Sequence, residues 1–151
     1  MKLINEKEIS EFAYYECKKG NDTPQMRRLI TTSCWSNRYC SEIKDIEEMR
    51  VKIIRSDWAF AYCRNVKDRE EMWSKITESY YAYCYCIDVK DREEMWRKIT
   101  KSRWAFRYCK NIKDRKEVWK NITESYWAYF YCKYVKDRPE VRKYIKNEIN
   151  K

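Results

Sequence analysis

Apolar residues between Ser56 and Ile76 fall into two stripes separated by a polar break. Trp58, Ala59, Tyr62, Cys63 and Val66 follow an i, i+1, i+4, i+5, i+8 spacing, which places them on one face of an α-helix. Beyond Lys67-Asp68-Arg69, the residues Met72, Trp73 and Ile76 form a second helical stripe. Ser56 stands where an N-cap is expected, since its hydroxyl can accept from the free amides of a first turn. Asp68 and Glu71, three residues apart, have the spacing of a capping box for the second helix. Each helix is predicted to run about 9–10 residues, roughly 15 Å. Helices this short are marginal alone, so each must bury its stripe on a neighbour.

The neighbours are copies of the same unit. Asp22, Asp45, Asp68, Asp91, Asp114 and Asp137 recur every 23 residues without an insertion. Ser10, Ser33, Ser56, Ser79, Ser102 and Ser125 keep the same period, as do Cys17, Cys40, Cys63, Cys86, Cys109 and Cys132. The aromatic position reads Phe12, Trp35, Trp58, Tyr81, Trp104 and Trp127. Pro24 and Pro139 both fall two residues after the Asp, where a first-turn proline loses no intrahelical hydrogen bond. The expected fold is therefore all-α, an α-solenoid of six tandem 23-residue helix-turn-helix repeats at 9–31, 32–54, 55–77, 78–100, 101–123 and 124–146, with a tail at 147–151, in a single domain. The third and fifth repeats resemble each other, and the fourth and sixth share Glu-Ser-Tyr, which points to duplication of a two-repeat unit. The first repeat, with Gly20, Asn21 and Gln25, departs most from the consensus and suits a cap.

The run Trp104-Ala105-Phe106-Arg107-Tyr108-Cys109, followed by Ile112-Lys113-Asp114-Arg115-Lys116-Glu117-Val118, resembles the short two-helix repeats of unknown function found in phage, bacterial and large-virus proteins. The resemblance spans about Ile9 to Lys146, with Cys where many such repeats carry Ala. It implies a helical-repeat fold and a mobile-element origin, and it brings no catalytic residues with it.

Composition narrows the chemistry. The chain has no histidine, which excludes His-based triads, His acid-base pairs and His-containing metal sites. A single glycine excludes Gly-rich phosphate loops. The periodic cysteines fall one per repeat on a packed stripe, so they read as core thiols in preference to zinc or redox ligands, and no cofactor or metal is expected. The repeated carboxylates at helix starts read as caps in preference to an acidic cluster. An enzyme would need a site unique to one repeat, for example around Cys84, and nothing in the sequence demands one. No apolar run approaches the roughly 18 residues of a membrane span, and Met1 to Glu8 interleave charge where a signal peptide is apolar. A soluble, cytoplasmic chain is expected.

Residues present in every repeat serve stacking, so recognition is expected where repeats differ. Positions 57, 60, 61 and 64 and their equivalents, spaced i, i+3, i+4, i+7, form a second helix face. Position 60, aromatic in five of six copies, reads as core, while neighbouring Arg and Tyr positions read as surface. Residues 101–123 set eight Lys and Arg against Asp114 and Glu117, and residues 124–146 set six against Glu124, Asp137 and Glu140, so these repeats carry most of the overall +10. The candidate partner-binding residues are Arg64, Tyr80, Tyr83, Arg103, Arg107, Lys110, Tyr126, Tyr129, Phe130 and Lys133. Tyr134 and Tyr144 are further candidates for exposed apolar surface. A plain solubilising surface is the alternative.

These features favour a non-enzymatic adaptor or phage-type inhibitor. Its partner would be an acidic protein surface or ribonucleoprotein, such as a host defence nuclease of the CRISPR type, with no membrane and no small-molecule substrate. The competing expectation is direct binding of RNA or single-stranded DNA through the basic C-terminal repeats, with affinity that falls steeply with salt.

Overall fold

Each repeat folds as a helix pair, as its two stripes require. The computed structural model describes residues 5–146. The leader reading at residues 1–4 and the tail at 147–151 lie outside the described residues. The first helices are α1 (Glu6–Lys18), α3 (Ser33–Glu42), α5 (Ser56–Asn65), α7 (Ser79–Asp88), α9 (Ser102–Asn111) and α11 (Ser125–Tyr134). The second helices are α2 (Pro24–Leu29), α4 (Glu47–Arg50), α6 (Glu70–Trp73), α8 (Glu93–Trp96), α10 (Lys116–Trp119) and α12 (Pro139–Arg142). Contacts group into two compact units, Met1–Ile76 and Thr77–Lys151. Inside each unit they run sequentially, within a pair and between neighbouring pairs, as in a helical-repeat solenoid. No helix among the described residues is long and apolar enough to cross a membrane.

The stripes bury as their spacing predicts, with refinements. Ala59, Tyr62, Cys63, Met72 and Ile76 are buried, and so is Phe60, the position expected to complete the core. Trp58 and Val66, at the margins of the first stripe, are half-buried. Most first helices have the expected 10 residues, but the second helices from α4 onward have only four. The chain leaves α6 through tight i+3 bonds, Lys75 N–H to the Met72 carbonyl and Ile76 N–H to the Trp73 carbonyl, both 3.1 Å. It then becomes extended, which lets Ile76 reach the core. One turn of helix has no stability of its own, so burial of Met72, Trp73 and Ile76 holds it. Pro24 and Pro139 occupy the first helical position of α2 and α12, as expected. Gly20, at φ 107°, closes α1 with paired bonds from Gly20 N–H to the Cys17 carbonyl and Asn21 N–H to the Glu16 carbonyl, both 3.0 Å.

The invariant serines are not N-caps. Ser56 is the first helical residue, the backbone cap is Arg55, and no side-chain cap bond forms. Instead the serines of the inner repeats join the start of their own first helix to the segment after the second helix. Ser33 Oγ donates to the Lys52 carbonyl at 3.2 Å and accepts from Ile54 N–H at 3.0 Å. Ser79 does the same with Lys98 and Thr100, and Ser102 with Asn121 and Thr123, all at 3.0 Å. The helix ends thus satisfy one another through a buried hydroxyl.

The invariant aspartates are not primarily caps either. Asp45 lies two residues before α4, and its carboxylate accepts from the Tyr62 hydroxyl of the next repeat at 2.9 Å and from Arg69 Nη2 at 3.1 Å. Arg69 Nε also donates to the Tyr62 hydroxyl at 3.0 Å, which closes a three-membered clasp between repeats. Asp91 with Tyr108 and Arg115, and Asp114 with Tyr131 and Arg138, repeat it at 2.6–2.8 Å. At Asp22 the partners are Tyr39 and Arg27, because Ile46 replaces the clasp arginine. In the second unit the clasp arginine also covers a tryptophan of the preceding repeat, Arg115 over Trp96 at 5.3 Å and Arg138 over Trp119 at 5.1 Å.

The clasp makes stability depend on pH. Burial pushes the Asp45 carboxyl up, but hydrogen bonds from Arg50, Tyr62 and Arg69 outweigh it and hold it below its ordinary value; Tyr39 and Arg27 do the same for Asp22. Burial, reinforced by the aspartate bond, raises the Tyr62 and Tyr108 hydroxyls, so they remain donors. A depressed carboxyl binds its proton more readily in the unfolded chain. Its stabilisation is therefore full above the unfolded value and is lost as pH falls. Denaturant titrations should show constant stability above about pH 5 and a decline below about pH 4, and Asp45→Asn should lower the plateau and flatten the decline.

Candidate functional site

Two sets of cations differ in what they touch. Arg27, Arg50, Arg69, Arg115 and Arg138 are tied to carboxylates between repeats. Arg103, Arg107 and Lys110 on α9, with Lys133 on α11, make no ion pair with any described residue and lie instead over aromatic rings. The Arg103 guanidinium is 4.9 Å from the Trp104 ring centre and 6.0 Å from that of Trp127, and Arg107 is 5.5 Å from Trp104. Lys110 lies 5.9 Å from Phe106 and 5.4 Å from Tyr134, while Lys133 is 5.6 Å from Tyr129 and 5.1 Å from Tyr134. Each such contact contributes about 0.5–1 kcal/mol at an exposed site, enough to bias a long side chain's direction but not to neutralise it.

Beneath the cations the rings pack on one another. Phe106 stacks on Trp127 at 5.7 Å, Tyr126 meets Phe130 at 4.7 Å, and Phe130 lies parallel to Tyr134 at 5.7 Å and 10°. An open groove runs between α9 and α11, lined by Phe106, Arg107, Lys110, Tyr126, Trp127, Phe130 and Tyr134. Neither helix contributes a carboxylate. Tyr126 is 56% exposed and Tyr134 51%, so the surface is both positive and aromatic.

Of the candidate residues, the structure brings together Arg103, Arg107, Lys110, Tyr126, Tyr129, Phe130 and Lys133. Tyr80, exposed on α7, joins them through Trp104, its ring centre 4.7 Å away. Tyr83 does not belong with a partner-binding surface: it is 7% exposed, stacks on Trp104 at 5.6 Å and accepts from Asn111 Nδ2 at 3.0 Å. It occupies the ring position that the next repeat covers. Tyr14 and Phe106 are buried at the same position, whereas Tyr129 is 36% exposed. Arg64, on α5, belongs to the first unit, lies over Phe60 at 5.2 Å and donates to Asn65 Oδ1 at 3.2 Å. Tyr134 lines the groove although its repeat position is not among the four variable ones. Its signal is that Lys19, Glu42, Asn65, Asp88 and Asn111 occupy the equivalent positions and only the sixth repeat is aromatic there. Trp104 and Trp127, assigned to the buried stripe, are half-buried and carry the cations on their outer faces.

Five of the eight cysteines pack in the core. Cys17, Cys40, Cys63, Cys86 and Cys109 are buried, and burial pushes the Cys86 and Cys109 thiols up to about 12 and those of Cys17 and Cys40 up to about 11. Among the described residues no three His, Cys, Asp or Glu gather as a metal site. In comparisons with known proteins, no family model, no curated protein and no solved structure matches the chain. What stands of the sequence resemblance is the tandem helix-pair repeat itself, and no family is identified. Iodoacetamide labelling of the native chain near about pH 8, read by peptide mass mapping, should modify the half-buried Cys34, Cys84 and Cys132 before the five buried thiols.

Proposed function

We propose that the chain is a non-enzymatic binding protein, an adaptor or inhibitor, that docks the basic aromatic face of α9 and α11 against an acidic surface of a nucleic-acid-handling protein. The observation that carries this reading is a set of four cations laid over aromatic rings with no ion pair among the described residues, on a chain whose inter-repeat arginines are engaged in holding repeats together. Each cation is already directed by a ring, which lessens the ordering cost of association. Arginines 103 and 107 present planar donors suited to paired contacts with carboxylates. Tyrosine, tryptophan and arginine together are the residues that concentrate binding energy at protein interfaces.

The near-parallel stack of half-buried Phe130 and exposed Tyr134 also fits a second reading, in which phosphates meet the cations and bases stack on the rings. Affinity capture from host lysate, with and without nuclease, separates the two when the wild type is compared with Arg103→Glu/Arg107→Glu/Lys110→Glu. Docking on a protein predicts one retained after nuclease treatment and lost in the triple variant. Loss of every association on nuclease treatment would replace the protein reading with direct nucleic-acid binding. Unchanged capture by the variant would show that the face is the wrong one.

A further inference from the structure

At three junctions the tryptophan near the start of a first helix is met by a ring of the preceding repeat. Tyr14 lies 5.1 Å from Trp35, Tyr83 5.6 Å from Trp104 and Phe106 5.7 Å from Trp127, and Tyr80 sets a second ring against Trp104 at 4.7 Å. Trp58, on α5, is the exception. The second repeat places Cys34 and Asn37 where the fourth has Tyr80 and Tyr83. Among the described residues no ring or cation pairs with the Trp58 indole, which is half-buried.

A cleft of about 380 Å³ opens beside Trp58, walled by Lys7, Thr32, Cys34, Arg55 and Asp57. A cleft of the same size flanks Trp104, but there Tyr80 and Tyr83 already lie against the indole. The Trp58 cleft also brings polar atoms that nothing answers. Asn37 is 6% exposed and its Oδ1 accepts no hydrogen bond, while Thr32 Oγ1, on the cleft wall, is buried and makes none. Tyr14, Tyr83 and Phe106 turn from Asn37's repeat position toward the tryptophan that follows, so the register of the repeats directs the Asn37 amide toward Trp58. Cys34, three residues earlier, shares that face of α3. A buried amide oxygen without a donor costs folding free energy that only a donor recovers. Charge at the mouth is nearly balanced, because Arg55 is tied to Asp57 at 2.7 and 3.2 Å, and Lys7 makes no ion pair with a described residue.

We infer that this cleft binds a small aromatic molecule of one or two fused rings that carries an N–H or O–H donor. Its ring lies on the Trp58 indole, as the tyrosine and phenylalanine rings lie on tryptophan at the other junctions, and its donor answers Asn37 Oδ1. The volume suits a molecule of that size, since ligand clefts begin at about 300 Å³. Lys7 favours an acidic over a basic substituent at the mouth. The site belongs to the first unit and shares no residue with the basic aromatic face of α9 and α11, so either reading can fail without the other.

Indole, which has an N–H donor, and N-methylindole, which has none, are the probes, each titrated into the full-length chain and followed by heteronuclear NMR of the labelled protein. Indole is expected to move the Trp58 side-chain resonance first and to bind about tenfold more tightly than N-methylindole. Asn37→Leu should weaken indole about tenfold and remove the preference between the probes. Cys34→Tyr/Asn37→Tyr, which restores the pattern of the fourth repeat, should abolish binding of both. The inference is overturned if neither probe binds, if the wild type binds both equally, or if the resonances that move belong to another tryptophan. Deletion of residues 1–4 should leave the affinity unchanged; a rise would make the chain's own N-terminus the occupant of the cleft and would also overturn it.

Discussion

At the described inter-repeat junctions, a carboxylate is withdrawn from water and must be satisfied by the next repeat. Asp91 cannot be left without Tyr108 and Arg115 except at the cost of a part-buried, unmatched charge, a penalty of about 1–3 kcal/mol or more. That asymmetry makes a polar contact decisive in a fold whose bulk stabilisation is apolar. The stripes of Ala, Tyr, Cys, Met and Ile supply area but tolerate sliding, because a 10-residue helix above a single turn has little shape to lock its register. The tyrosine hydroxyl meets one acceptor, and the arginine touches that acceptor, the hydroxyl and, in the second unit, a tryptophan face. Register between neighbouring repeats is set there, while the serine bridges set the angle inside each repeat.

This division of labour explains what could be read from the chain. Element order, the helix-pair repeat and the buried faces were legible because hydrophobic spacing and a strict 23-residue period are local and redundant. The roles of Ser56 and Asp45 were not, because both residues sit where caps belong and capping is the nearest local explanation. Their real partners lie 17 to 24 residues away, the Lys75 carbonyl in one case and Tyr62 and Arg69 in the other. The brevity of α6 was hidden for a related reason: Ile76 keeps helical spacing with Met72 and Trp73 although the chain has already left the helix.

The same logic separates scaffold from surface. Positions occupied by the same residue type in successive repeats are committed to stacking, and the cations committed to stacking are paired. What is left over on α9 and α11 is a set of cations with rings for company and no counter-charge among the described residues, which the proposed docking uses. Tyr83 shows where variability alone misleads: its residue type changes between repeats, but its ring is covered by Trp104. Tyr129, at the same repeat position, is open because no described helix pair follows it.

The claim that the clasp couples neighbouring repeats is tested most directly by a double-mutant cycle on Tyr108→Phe and Asp91→Asn, with unfolding free energies measured at neutral pH. The account predicts that each substitution alone destabilises the chain and that the pair is less destabilising than the sum, with a coupling energy of about 1–3 kcal/mol. Additive losses would contradict it, reducing the clasp to two independent polar contacts and leaving register to the apolar stripes.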